Sequence, residues 1–295
     1  MAESNGEQVQ PVRSPLRIIF MFLIVIVLPL AVSILLAPRL IPKPRVGIIR
    51  LNNDINGPVT DSIGQQLAYA REHEDVRAVV LVINSPGGSA AYSEELFLDV
   101  WSTRAFVPIV ATVDLLAASG AYYMAAAADE IYAKPTSAVG SIGVIAFLPD
   151  EALLIEEEVI TTGPFKSFGG TRDGFIRQME VSKFSFLEAI QAGRGDRLNV
   201  DPTYLSRAEI WNGVQAADMG LIDGLMPTTD SIKRAAELAG LANYDVVELW
   251  PLVMEQDEGG LGFAAQPALN VEALYSLPDK VPAGIYYRYM ELPSR

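Results

Sequence analysis

Ser119 stands in Leu115-Leu-Ala-Ala-Ser-Gly-Ala-Tyr-Tyr-Met-Ala125, where small neighbours would let a substrate backbone come close. A serine hydroxyl becomes a nucleophile when a neighbouring base takes its proton. That base is usually a histidine. This chain has one, His73, within Arg71-Glu-His-Glu-Asp75, a charged run that reads as a solvated helix end. A lysine is therefore the expected partner. Lys166, in Thr161-Thr-Gly-Pro-Phe-Lys-Ser-Phe-Gly-Gly170, is flanked by Phe165 and Phe168. Those rings offer the apolar shell that an unprotonated amine requires. The plainer reading of any single lysine is a solvated surface charge.

Two glycine-rich turns complete the candidate chemistry. Ser85-Pro-Gly-Gly-Ser89 follows a β-branched run, and Gly87 and Gly88 can turn their backbone amides into a cleft as an oxyanion hole. A flexible strand-to-helix loop is the alternative. Ser141, in Val139-Gly-Ser-Ile-Gly-Val144, is placed to orient an amine, or is part of an ordinary glycine turn. Ser119 itself opens a helix, where the dipole favours a developing negative charge. A simple N-cap serine would read the same way.

These residues need elements to hold them. Val46 to Leu51, Arg77 to Ile83, Pro108 to Val113 and Glu130 to Ala133 are short apolar runs suited to buried strands. Between them, Val59, Ile63, Leu67 and Ala70 recur at helical spacing, and residues from Ser89 to Thr103 and from Ser119 to Ala127 read as helices. The alternation predicts an α/β fold: a mostly parallel sheet with flanking helices. It resumes with a helix from Phe175 to Ala192, a strand near Glu209 to Trp211 and a helix from Val214. The domain that carries Ser119 and Lys166 is expected over 46–255. Gln256-Asp-Glu-Gly-Gly-Leu-Gly262 reads as a linker, followed by a tail through Arg295 of unknown role that carries Tyr286-Tyr287-Arg-Tyr289.

Upstream, after a tail over 1–17, Ile18 to Ala37 contains no charged residue. At about 1.5 Å per residue it matches a hydrocarbon core of about 30 Å, so a transmembrane anchor is expected over 18–37. A cleaved signal peptide with Ala31-Val-Ser33 as its cleavage site is the rival, although such apolar regions are usually shorter. Arg13 and Arg17 precede the segment and Arg39, Lys43 and Arg45 follow it, so charge does not fix its orientation. Ile41-Pro-Lys-Pro-Arg45 reads as a stiff linker over 38–45.

Composition narrows the classes. The formal charge of −14 lies beyond the anchor, which argues against nucleic-acid binding. With no cysteine and one histidine, neither disulfides nor a thiolate or histidine metal centre is expected. No cofactor is called for.

Taken together, the separated motifs Asn84-Ser-Pro-Gly-Gly88, Ala118-Ser-Gly-Ala-Tyr-Tyr123, Val139-Gly-Ser-Ile-Gly-Val144, Gly163-Pro-Phe-Lys-Ser167, Ala192-Gly-Arg194 and Gly213-Val-Gln-Ala-Ala-Asp-Met-Gly-Leu-Ile-Asp223 resemble the signal peptide peptidase A family of membrane-bound serine proteases, in the Clp protease–crotonase superfamily. The resemblance implies Ser119 as nucleophile, Lys166 as general base, Ser141 as the serine that coordinates the lysine, and Gly87 or Gly88 as oxyanion donor. It also implies a homo-oligomer whose Ser and Lys meet across a subunit boundary, a domain on the extracytoplasmic side, and peptide substrates such as remnant signal peptides. Ala121 stands where the family usually has a second glycine, and the segment between Val144 and Val159 is acidic. Two other readings follow from the same residues: a catalytically inactive membrane-anchored scaffold, and a crotonase-type acyl-CoA enzyme.

Overall fold

The computed structural model describes residues 15–33, 43–147, 162–163, 165–166, 169–256 and 284–288. They divide into two units, Met1–Lys43 and Pro44–Arg295.

In the first unit, helix α1 (Pro15–Phe22) runs into a π-helical stretch, Leu23–Val27, with helical residues continuing to 33. Among the described residues no helix is long and apolar enough to cross a membrane. The end of the expected anchor, 34–37, lies outside the described residues.

The second unit is built on an eight-stranded sheet. Its path is β10 (Asp245–Glu248), β1 (Arg45–Asn52), β2 (Val76–Ser85), β4 (Ile109–Ala118), β5 (Glu130–Ala133) and β9 (Gly224–Leu225). Every pair along that path is parallel. β6 (Ala138–Gly140) branches from β4 in parallel, and β8 (Ile210–Asn212) joins β6 antiparallel.

The apolar runs are continuous because both faces of the sheet are covered. On one face Val79, Leu81 and Ile83 of β2 meet Ile63 and Leu67 of α2 (Gly57–Glu72) and Leu96 and Val100 of α3 (Ala90–Thr103). On the other face Ala78, Val80 and Val82 meet Ala235 and Ala236 of α8 (Thr228–Leu238). α4 (Gly120–Ala125), α5 (Arg172–Arg194), α6 (Pro202–Leu205), α7 (Gly213–Asp218) and α9 (Leu249–Gln256) complete the α-helices of this unit among the described residues.

Parallel pairing brings the carboxyl ends of β2 and β4 to one edge, the edge at which open α/β sheets bind ligands. Ser85 is in register with Ala117 across a shift in the ladder after Ile83. Asn84 fills that irregularity: its Oδ1 accepts from Leu115 N at 2.7 Å, and its carbonyl accepts from Asn53 N at 3.0 Å. The turn after β2 is thereby fixed against the strand that ends at Ser119.

A second sheet, absent from the sequence reading, lies at this edge. Its order is β3 (Gly87–Ser89), β11 (Gly284–Arg288), β7 (Ile145–Phe147), both pairs antiparallel. Residues of the tail therefore form the centre of a sheet on the Gly-Gly turn.

Candidate active site

β4 ends at Ala118 and α4 begins at Gly120, so Ser119 is the whole connection between strand and helix. Its φ of 53° and ψ of −121° are ones that L-residues seldom adopt. Holding such a backbone costs on the order of 1–3 kcal/mol and needs surroundings that enforce it. Here Ser119 N donates to Gly140 O at 2.7 Å, and Tyr123 N donates to Ser119 O at 2.9 Å. The side chain makes no capping bond. Ser119 is 1% exposed, and its Oγ has no hydrogen-bond partner. A buried hydroxyl without a partner costs about 1–3 kcal/mol. The side chain therefore does not cap the helix that follows it.

Ser141 lies beside it. Ala118 of β4 is in register with Gly140 of β6, so the next residue on each strand is a serine. Ser141 also has a φ of 53°, is 8% exposed, and donates its N–H to Glu209 O at 2.7 Å. Two left-handed serines at the ends of adjacent parallel strands form one side of the site.

The other side is the Gly-Gly strand. Gly87 has a φ of 95°, and a Cβ there would stand 1.9 Å from Tyr287 O and 2.7 Å from Gly120 N. No side chain fits between these backbones. Gly87 N donates to Ser85 Oγ at 3.1 Å. Gly87 O accepts from Ile55 N at 2.8 Å, and Ser89 N donates to Ile55 O at 3.0 Å. Since N–H and C=O groups alternate in direction along a strand, the Gly88 amide faces the opposite edge, toward β11. Of the two candidate donors, Gly88 has its amide toward the cleft.

Lys166 is exposed and lies on a turn in which its N–H donates to Gly163 O at 3.2 Å. Phe165 is also exposed, and Phe168 lies outside the described residues. Within one copy of the chain, Ser119 Oγ receives no bond from Lys166. His73 is remote from the chemistry in another sense: it caps α2, stacks on Tyr69 with centroids 3.7 Å apart, and contacts Tyr69 O at 2.9 Å.

Behind the site, Arg194 is 2% exposed. It donates to Gly220 O at 2.9 Å and to the two oxygens of Asp223 at 2.7 and 3.1 Å. Burial pushes the Asp223 carboxyl up, but hydrogen bonds and charge from Arg194 outweigh it and hold the group below its ordinary range. Asp223 also accepts from Ile131 N at 2.7 Å. Gly193 permits the approach of α5 to the segment after Ser119, since a Cβ there would be 1.8 Å from Ala126 O. The Ala192-Gly-Arg194 and Leu221-Ile-Asp223 motifs are thus the clamp that seats the Ser119 helix.

The sequence reading did not single out Glu94, Ser182 or Phe186, which with Tyr123 of the Ala118–Tyr123 motif surround the buried Tyr287 ring. Of these, only Phe186 carried a signal, the apolar spacing of α5, and that is shared with any core position.

This arrangement defines a Clp protease-like α/β fold, and the Clp protease family model matches residues 43–139. The model of peptidase family S49 matches residues 102–242. A putative protease of Synechocystis is 30% identical over 194 residues, covering 60% of this chain and 68% of that protein. Protease 4 of Salmonella typhi is 27% identical over 236 residues, covering 76% of this chain. The chain spans 37% of the length of that relative. A solved membrane-bound stomatin-specific protease aligns with a TM-score of 0.47 at 14% identity, over 66% of this chain and 86% of that one. The chain belongs to peptidase family S49, the signal peptide peptidase A family.

Proposed function

We propose that the protein is a membrane-anchored serine endopeptidase in which Ser119 is the nucleophile and Lys166 the general base. The observation that carries this reading is the buried, unpartnered Ser119 Oγ on a strained backbone. It lies beside a Gly-Gly strand whose edge pairs with the extended strand β11, the pairing an extended peptide would adopt.

In the proposed reaction an extended substrate pairs with β3. Unprotonated Lys166 removes the Ser119 proton, and Oγ adds to the substrate carbonyl carbon. The amides of Gly88 and Gly120 stabilise the oxyanion, each such donor being worth about 10²–10³ in rate. The amine leaves with the proton, and water then releases the acyl group. Ser141, beside Ser119, orients the lysine.

Because Lys166 does not reach Ser119 within one copy, the lysine comes from an adjoining copy in a homo-oligomer. The uncharged run Ile18 to Ala37 is the anchor, with the domain on the extracytoplasmic side. Substrates are unfolded or membrane-released peptides, including remnant signal peptides.

The test is digestion of an unfolded protein by the wild type, Ser119→Ala and Lys166→Ala. Loss of activity in both variants, with assembly and folding retained, supports the reading. Equal activity in all three would remove it, and three equally inert proteins would favour a scaffold.

A further inference from the structure

Strands β1, β2, β4 and β5 all begin at the edge of the sheet opposite Ser119. Arg45 is in register with Val76, Val79 with Ile109, and Val110 with Glu130. α3 returns to that edge and ends at Thr103, and α8 ends there at Leu238. Around these turns large apolar side chains are left uncovered. Phe106 is 65% exposed and Leu98 64%, with Trp101 and Leu238 exposed beside them.

The four form one patch. Leu98 and Trp101 are a turn apart on α3 and share a face. The Arg104 guanidinium lies 4.8 Å from the Trp101 ring centre. Arg104 in turn lines a shallow groove with Phe106, Pro108, Asp129 and Leu238. Its charge is balanced, since it donates to Asp129 Oδ1 at 2.8 Å and to Ala127 O at 3.1 Å.

The chain enters the domain at this same edge, because Arg45 opens β1. Residues 38–44 alone separate it from Ala37, the last residue of the uncharged run. Fully extended, that connection spans at most about 28 Å.

We infer that this edge rests on the membrane surface, with Leu98, Trp101, Phe106 and Leu238 seated at the level of the lipid headgroups and upper acyl chains. The inference rests on the reading of Ile18 to Ala37 as an anchor. The side chains suit a lipid interface. A Trp ring is apolar with one polar N–H, and an Arg covers apolar surface with its stem while its head stays wet. With Arg104 paired to Asp129, the patch calls for no anionic lipid. A second copy of the chain is the poorer occupant. A stable interface between proteins takes about 20–30 residues a side, and four side chains fall well short. A tethered edge needs far less, because the anchor makes the contact intramolecular, at an effective concentration in the mM range for a short linker. β4 then carries the chain away from the edge over 10 residues to Ser119. At about 3.3 Å per residue the nucleophile stands roughly 30 Å from the docked edge, open to peptides outside the bilayer.

The experiment places the full chain in phosphatidylcholine vesicles whose lipids carry bromine either high on the acyl chain or near its end, and reads tryptophan fluorescence. Of the other two tryptophans, Trp211 is buried on β8 and Trp250 packs against the core. The wild type is expected to be quenched more by the shallow bromine, and Trp101→Phe to lose most of that quenching. Phe106→Ser and Leu98→Ser keep the reporter and are each expected to at least halve the quenching, while digesting an unfolded protein as fast as the wild type. Undiminished quenching in Trp101→Phe, or in both serine variants, overturns the inference. A chain that floats with the vesicles while Trp101 escapes bromine overturns it and leaves the anchor intact. If Trp101 is then shielded from aqueous acrylamide as well, the face belongs to a second copy. A chain that does not float with the vesicles overturns the inference together with the anchor beneath it.

Discussion

Ser119 holds a backbone that glycine adopts at little cost and keeps a hydroxyl buried without a partner. Both features oppose stability, which is common where function dictates the geometry. Ser119→Gly is accordingly expected to raise Tm, with a gain of about 1 kcal/mol, while abolishing hydrolysis. Thermal unfolding and a peptidase assay on the same sample check both halves. A fall in Tm would show that the left-handed backbone carries no strain. The opposite sign is expected at Gly88, where a Cβ would stand 2.1 Å from Ile55 O. Gly88→Ala must push two backbones apart, so loss of both activity and the cooperative melt is expected. The residue types and small neighbours around Ser119, Gly87, Gly88 and Ser141 were legible in the sequence. The choice between nucleophile and N-cap was not, because a serine before a helix satisfies both descriptions. The dihedral angle and the missing cap hydrogen bond argue against the N-cap reading, and the nucleophile remains the proposal.

At the scale of elements, α4 and α5 are locked by the buried Arg194–Asp223 pair and the Gly193 contact. Removing one partner of a buried pair leaves a charge unpaired, a loss of about 3–5 kcal/mol. Arg194→Met is therefore expected to destabilise strongly in chemical denaturation, whereas changes at the half-exposed Arg50–Glu248 pair should contribute little. The pH dependence has a definite sign. Asp223 has a folded pKa below its ordinary value of about 3.9, so its stabilisation is complete above that value and is lost as pH falls through the lower folded value. Melting wild type and Asp223→Asn at successive pH values should show a gap that narrows in acid. A gap independent of pH would contradict the linkage. The strands and most helices were readable because the sheet is buried on both faces and its runs are uninterrupted. β3, β6, β7, β9, β10 and β11 were not, since two to five residues carry too little periodicity. β11 in addition follows a segment rich in glycine and proline, and only pairing with β3 reveals it as a strand.

For the whole molecule, Ser119 Oγ finds no hydrogen-bond partner within one copy among the described residues, and the proposed base would come from a second. Complementation tests whether a second copy supplies it. Two inactive variants, Ser119→Ala and Lys166→Ala, are expected to regain part of the activity when co-expressed, because mixed boundaries then pair an intact serine with an intact lysine. No recovery, with mixed assemblies verified, would place both groups in one chain. The family was legible from the order and spacing of six motifs, but the assembly was implied only through that resemblance.

The most direct measurement of the central claim is covalent labelling with a fluorophosphonate, followed by mass-spectrometric mapping of the modified residue. The account predicts a single adduct on Ser119 and its loss in Lys166→Ala, with folding unchanged. An adduct on another serine, or undiminished labelling without the lysine, would contradict it.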